Sequence, residues 1–336
     1  MDKAEMLARM DPQLRPCYEA MQPYSIEYGT LCGIRAYTLA QLRQSPSPFE
    51  GREDIRLYTR TVPGPAGAPE VPIRIYEPTA RTEWMPIILY FHGGGGVLSS
   101  ARQDDPFCLE LALQERCVVV SVDYRLAPEY PAPAGQLDCL AAWRWLCNQG
   151  VGELKLDLNR SVFYGGSGGG NMALGAALRL LDGGERLPAL LMPLYPMIDP
   201  RGETPSSREI TDESLWGRRQ NLQAWAYYLH GLDDGSTGKA DTYTAPIFRE
   251  EFGGLPPVFT FVGQLDQFRD ETLALAARLS RCGVPVEFTL YPGCFHGFEV
   301  SVPDAAVSRC ARRRFQGRLQ MTFYPQADPA YWAAEP

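Results

Sequence analysis

Gly165-Gly166-Ser167-Gly168-Gly169 follows a short strand-like segment, Ser161 to Tyr164, and precedes a helix-like one, Asn171 to Leu181. A chain leaving a buried strand must turn sharply to expose a serine, and the bend brings backbone close to backbone. Glycines on both sides remove the Cβ atoms that would clash there. In a chain with 32 glycines one Gly-x-Ser-x-Gly is a weak signal, so its reading depends on what surrounds it. The same turn fits a relaxed dinucleotide fingerprint, Gly168-x-Gly170-x-x-Ala173. That fingerprint wants an acid at the end of the next strand to hold a ribose hydroxyl. Leu187 to Leu191 offers only apolar residues and one proline, which sets nicotinamide binding aside.

A second glycine run, Phe91-His92-Gly93-Gly94-Gly95-Gly96, closes the strand-like Ile87-Ile88-Leu89-Tyr90 upstream of the serine. Backbone N–H groups on such a loop can stabilise an oxyanion, and glycines let a substrate approach them closely. A serine nucleophile also needs a base that a third group orients. The chain has 3 histidines. His92 belongs to the glycine loop, where it is expected to support the loop together with Gly93. His230 reads as a helix end, with a surface or capping role. His296 follows the strand-like Val286 to Leu290 and is the candidate base. Gly263-Gln264-Leu265-Asp266 directly follows the strand-like Val258 to Val262, which puts Asp266 at the carboxyl end where open α/β sheets gather ligands. Asp270 and Glu271 are rivals, but they open a helix and suit its N-terminus.

These stretches resemble the hormone-sensitive lipase family of α/β-hydrolases, especially its microbial esterase branch. The resemblance lies in His92-Gly93-Gly94-Gly95, Asp123-Tyr124-Arg125-Leu126-Ala127-Pro128-Glu129, Gly165 to Asn171, Asp266 to Glu271, and His296-Gly297-Phe298. It implies the α/β-hydrolase fold, a mostly parallel sheet flanked by helices with a helical cap. It implies Ser167 as nucleophile, His296 as base and Asp266 as orienting acid, in the chain order that fold uses. The amides of Gly94, Gly95 and Gly168 would form the oxyanion hole. The implied activity is hydrolysis of short- to medium-chain carboxylic esters without metal or organic cofactor. Three positions depart from the family. Gly166 stands where an acid is common, Gly168 where alanine is usual, and Tyr130 where many relatives have histidine. The first two predict an elbow with less anchoring and stiffness. Two other readings share the same motifs: hydrolysis of an amide, lactone or carbamate, and a ligand-binding homologue that has lost catalysis. Such a homologue is expected to lack a triad member, whereas all three residues are present here.

At 336 residues and 45% hydrophobic composition, the chain can bury a large core as one elaborated domain. A net charge of −8, with no basic cluster larger than Arg312-Arg313-Arg314, argues against nucleic acid or an anionic membrane as partner. The expected partner is a small-molecule ester, and fold analogy adds a homodimer. No apolar run is long enough to span a bilayer, and Met1 to Glu5 is charged, which predicts a cytoplasmic protein. The 9 cysteines are odd in number and form no Cys-x-x-Cys pair, so neither a disulfide framework nor a zinc site is expected. Cys294 reads as a small apolar filler, or else as a thiol whose alkylation would crowd His296.

Asp11-Pro12 reads as a helix start, and Leu7, Met10, Leu14, Tyr18 and Met21 form one apolar stripe. Residues 1–50 are read as the N-terminal part of a helical cap. Ile55–Val62 and Val71–Tyr76 alternate in period two and predict a hairpin. Core strands are expected near Ile87–Phe91, Cys117–Val122, Ser161–Tyr164, Leu190–Tyr195, Val258–Val262 and Val286–Tyr291. The catalytic core is thus expected over 51–198 and 242–322. Residues 199–241 break the alternation and read as a cap insertion. Its Trp216, Trp225 and Tyr228 are candidates for an apolar substrate pocket, or else they glue cap to core. The tail, 323–336, is too aromatic for a disordered end and is expected to pack on this chain or a neighbour.

Overall fold

A computed structural model describes residues 1–81, 84–232 and 240–326. Helices α1 (Lys3–Arg9), α2 (Arg15–Ala20) and α3 (Tyr28–Gln44) precede the sheet. Strands β1 (Ile55–Val62), β2 (Val71–Pro78) and β3 (Met85–Phe91) lead to α4 (Asp105–Gln114) and β4 (Val118–Val122). Next come α5 (Ala134–Trp145), α6 (Val151–Glu153), β5 (Leu156–Gly166), α7 (Gly168–Asp182) and β6 (Leu190–Leu194). Two helices follow, α8 (Pro205–Glu209) and α9 (Arg218–His230). The chain then forms β7 (Val258–Leu265), α10 (Arg269–Arg281), β8 (Val286–Phe295), α11 (Phe298–Ser301) and α12 (Ala306–Phe323).

The described strands form one sheet in the order β1-β2-β4-β3-β5-β6-β7-β8. β1 and β2 make the expected antiparallel hairpin, β2 is antiparallel to β4, and the other pairings are parallel. Alternation along the central strands explains why both faces need cover. Ile87, Leu89 and Phe91 of β3 enter one buried cluster with α5 and α7. Ile88 and Tyr90 enter the other, with α1, α2, α4 and α12. A strand apolar on both faces is stable only between two helical layers.

The proposed start at Asp11-Pro12 is corrected: residues 11–14 form a turn and α2 begins at Arg15. Asp11 is committed elsewhere, since its N–H donates to Gly293 O at 2.9 Å and its carboxylate accepts from Gln13 N. The apolar stripe still turns inward at Met10, Leu14 and Tyr18, and Tyr18 packs on Phe295 at 5.2 Å between ring centroids. No helix among the described residues is long and apolar enough to cross a membrane. Of the tail, Phe323 is buried and the Tyr324 hydroxyl donates to Arg116 O at 2.8 Å. Tyr331 and Trp332 lie outside the described residues.

Glu115, just after α4, is buried against α12, where Gln320 Nε2 donates to its carboxylate. Burial pushes its carboxyl from the ordinary 4.5 up to about 7. The folded state therefore favours the protonated form. That advantage is present below the unfolded value and is lost as pH rises through about 7. A neutral isostere removes the pH dependence. Glu115→Gln is expected to raise the melting temperature more at pH 8 than at pH 5, a differential on the order of 2 kcal/mol. Equal shifts at both pH values in a thermal melt would refute this.

Candidate active site

Sheet register brings the distant motifs together. Phe91 pairs with Gly165, so the glycine loop leaves β3 directly beside the turn that leaves β5. Leu265 pairs with Phe295, so Asp266 and His296 leave β7 and β8 as neighbours. All four segments emerge at the carboxyl edge of the parallel strands.

Ser167 sits at φ +58°, ψ −121°, a backbone conformation that costs a non-glycine residue energy and that persists only where its surroundings hold it. Here the surroundings are hydrogen bonds: Ser167 N donates to Leu194 O at 2.9 Å, and Ser167 O accepts from Met197 N at 3.1 Å. The elbow is thereby tied to β6 and its exit loop. A Cβ on Gly165 would lie 2.3 Å from Gly169 O, and one on Gly168 would lie 2.7 Å from Gly95 N. Backbone meets backbone at both places, so no larger residue fits without moving a main chain. The Gly168 contact also shows how closely the glycine loop presses on the first turn of α7. Among the described residues no acceptor takes the N–H of Gly94, Gly95 or Gly168.

His92 is buried, its ring stacks on Tyr124 at 4.2 Å, and its Nδ1 lies 2.9 Å from Gly93 O. Tyr124 Oη donates to His92 O at 2.6 Å. His92 and Gly93 thus lie within the support of the glycine loop. His296 Nδ1 is 2.8 Å from Asp266 Oδ2, while Asp266 Oδ1 accepts from Phe268 N at 2.9 Å. Tyr195 and Phe268 meet the imidazole edge-on, at 4.8 and 5.1 Å between centroids. The rival acids point elsewhere. Asp270 accepts from Ser206 N and pairs with Arg269, and Glu271 is buried near Asp199. His230 ends α9 at an exposed position.

Ser167 and His296 line a cavity of about 760 Å³ together with Gly93, Gly94 and Gly95. Of the three aromatic pocket candidates, Trp216 lines it and lies against Gly95, where a Cβ would come within 2.7 Å of the indole. Trp225 and Tyr228 do not line it, which corrects that part of the expectation. α9 turns them into the core, where their rings pack at 5.6 Å and Tyr228 Oη reaches Asn171 Oδ1 at 3.2 Å. Cys294 is buried and burial pushes its thiol up to about 12, as befits the filler reading.

A family model described as alpha/beta hydrolase fold matches residues 88–300. The chain belongs to that family. Carboxylesterase NlhH of Mycobacterium tuberculosis is 36% identical to this α/β-hydrolase over 272 residues, 80% of this chain and 84% of that protein. Ethyl acetate hydrolase of Pseudomonas putida is 30% identical over 68% of this chain and 71% of its own length. Among solved structures, esterase LipW of Mycobacterium marinum superposes with a TM-score of 0.85 at 30% identity, covering 95% of this chain and 98% of that one. A bacterial heroin esterase gives the same TM-score at 32% identity, covering 94% and 99%.

Several residues at this α/β-hydrolase site carry no motif of their own. Arg35 of α3 donates from Nε to Val97 O at 2.8 Å and pairs with Glu129, so an N-terminal helix clamps the glycine loop and lines the cavity. Nothing in sequence spacing connects Arg35 to residues sixty positions away. Tyr195 was within reach, since it ends a predicted strand beside the serine strand. Its ring occupies the space that a side chain on Gly166 would need, with Cε2 and Oη each 3.0 Å from an ideal Cβ. The third departure, Tyr130, lies at the cavity rim with the Arg125 guanidinium 5.5 Å from its ring.

Proposed function

We propose that the protein hydrolyses short- to medium-chain carboxylic esters by two-step acyl transfer, with Ser167 as nucleophile, His296 as base and Asp266 as orienting acid. The observation that carries the reading is the 2.8 Å contact between His296 and Asp266 on a cavity that also exposes the strained Ser167. Ser167 attacks the ester carbonyl as His296 takes its proton, and Asp266 stabilises the imidazolium. The amides of Gly94, Gly95 and Gly168 receive the oxyanion. Alcohol leaves, and water attacks the acyl-enzyme by the same route in reverse. Relatives named as a carboxylesterase and an ethyl acetate hydrolase support an ester of modest size as the small-molecule partner.

We read residues 1–50 and 199–241 as a cap over the core at 51–198 and 242–322. Tyr24, Arg35 and Leu39 from the first segment and Trp216 from the second all line the cavity. Nine free thiols suit the reducing cytoplasm. The test is a series of p-nitrophenyl acetate, butyrate, octanoate and palmitate. Turnover is expected to fall at the long chains, and equal use of palmitate and butyrate would overturn the size limit. Trp216→Ala opens the wall beside Gly95 and is expected to raise the octanoate-to-butyrate ratio of kcat/KM about tenfold, the value of one or two buried methylenes. An unchanged ratio would show that Trp216 does not bound the acyl chain.

A further inference from the structure

The acyl-transfer scheme leaves a buried acid beside the His296 imidazole without a task. Glu299, in α11 three residues past His296, is 2% exposed. Its Oε1 accepts from Tyr195 Oη, and its Oε2 has no hydrogen-bond partner. A carboxylate with an unsatisfied oxygen is costly to bury, so a residue kept there without a counter-ion calls for an account. Its surroundings supply one. The tyrosine that holds Glu299 is the same one whose ring meets the His296 imidazole at 4.8 Å and fills the space beside Gly166. Glu299, Tyr195, His296 and the turn before Ser167 thus form one continuous contact.

We infer that Glu299 is a positioning residue for the reaction, holding Tyr195 against the His296 ring and adding a second negative charge that the imidazolium feels. It rests on the acyl-transfer reading. Asp266 orients the ring through Nδ1, whereas Glu299 acts through Tyr195 and through space. The charged and titratable groups that bear on Glu299 are Tyr195 just past β6, Asp266 just past β7, Cys294 of β8 and His296 just past it. Tyr164 of β5 also feels it, and Arg312 of α12 acts on that tyrosine. Burial raises the Glu299 carboxyl, while Tyr195 Oη and the positive form of His296 oppose the rise. Protonating His296 therefore favours the ionised carboxylate, as a proton-accepting base needs at the moment it becomes an imidazolium.

The experiment compares wild type, Glu299→Gln, Glu299→Ala and Ser167→Ala on p-nitrophenyl butyrate across pH 5 to 9, with melting temperatures. Gln keeps an acceptor for Tyr195 but not the charge, so the acid limb of kcat/KM is expected to move down by about half a pH unit or more. Ala also frees Tyr195, so kcat is expected to fall about tenfold with KM within about twofold, because ring orientation matters only as the proton moves. An unmoved acid limb in Glu299→Gln, at any melting temperature, overturns the inference and leaves Glu299 as packing. Undiminished turnover by Ser167→Ala would instead remove the acyl-transfer reading, and this inference with it.

Discussion

Ser167→Ala is expected to fold as the wild type does and to lose at least about 10³-fold of its turnover of p-nitrophenyl butyrate. Both halves follow from the elbow. The hydroxyl is the only atom removed, and the hydrogen bonds that fix residue 167 are made by its main-chain N and O, to Leu194 and Met197. Alanine keeps the Cβ and with it the cost of φ +58°, so the melting temperature should stay close to that of wild type. Ser167→Gly is the informative control. It relieves the strained backbone and is expected to melt higher than Ser167→Ala while remaining equally inactive. A serine-directed fluorophosphonate should label the wild type once and neither variant. Substantial turnover by folded Ser167→Ala would mean that another group attacks the ester.

Asp266→Asn is expected to lower kcat by about 10³- to 10⁴-fold with little change in KM. The reason lies in the two oxygens of Asp266. Oδ1 accepts from Phe268 N and Oδ2 accepts from His296 Nδ1, at 2.9 and 2.8 Å. An asparagine has a single oxygen. Kept on the Phe268 N–H, which is buried and has no other acceptor within the turn, it presents its NH₂ to His296. Nδ1 must then accept, so the ring carries its proton on Nε2 and cannot take one from Ser167. The carboxylate that stabilised the imidazolium is lost as well. Raising the pH should not restore activity, because the defect is one of tautomer rather than of protonation. Recovery of wild-type kcat at pH 9 would show that Asp266 acts only through charge.

Much of this was legible in the sequence. Apolar runs bounded by glycine and proline marked the central strands, and the residues just beyond them were candidates by position alone. Ser167, Asp266 and His296 each stand one residue past a strand, and the parallel sheet gathers such positions at one edge. The faces of α9 were less legible. Trp216 precedes α9, while Trp225 and Tyr228 lie within it, and all three looked equivalent as aromatics in a cap. Which of them reaches the cavity depends on how α9 is rotated against α7 and the glycine loop, a matter of long-range packing. Gly166 likewise read as a missing anchor, yet the ring of Tyr195, from a different strand, occupies the space beside it.

From sequence alone came the positions of the central strands along the chain, the sharp turn at Ser167 and the identities of the groups at the strand ends, but not the place of β4 between β2 and β3 in the sheet. Those features arise from local causes: continuous apolar runs in the central strands, glycine at crowded backbone, and short exits from buried strands. Long-range packing alone sets Arg35 on the glycine loop, places Trp216 rather than Trp225 on the cavity wall, and brings Glu299 to Tyr195. Each of these joins residues from 62 to 121 positions apart. Such contacts leave no periodic trace in the chain, because they are set by which surfaces remain to be buried once the sheet has formed.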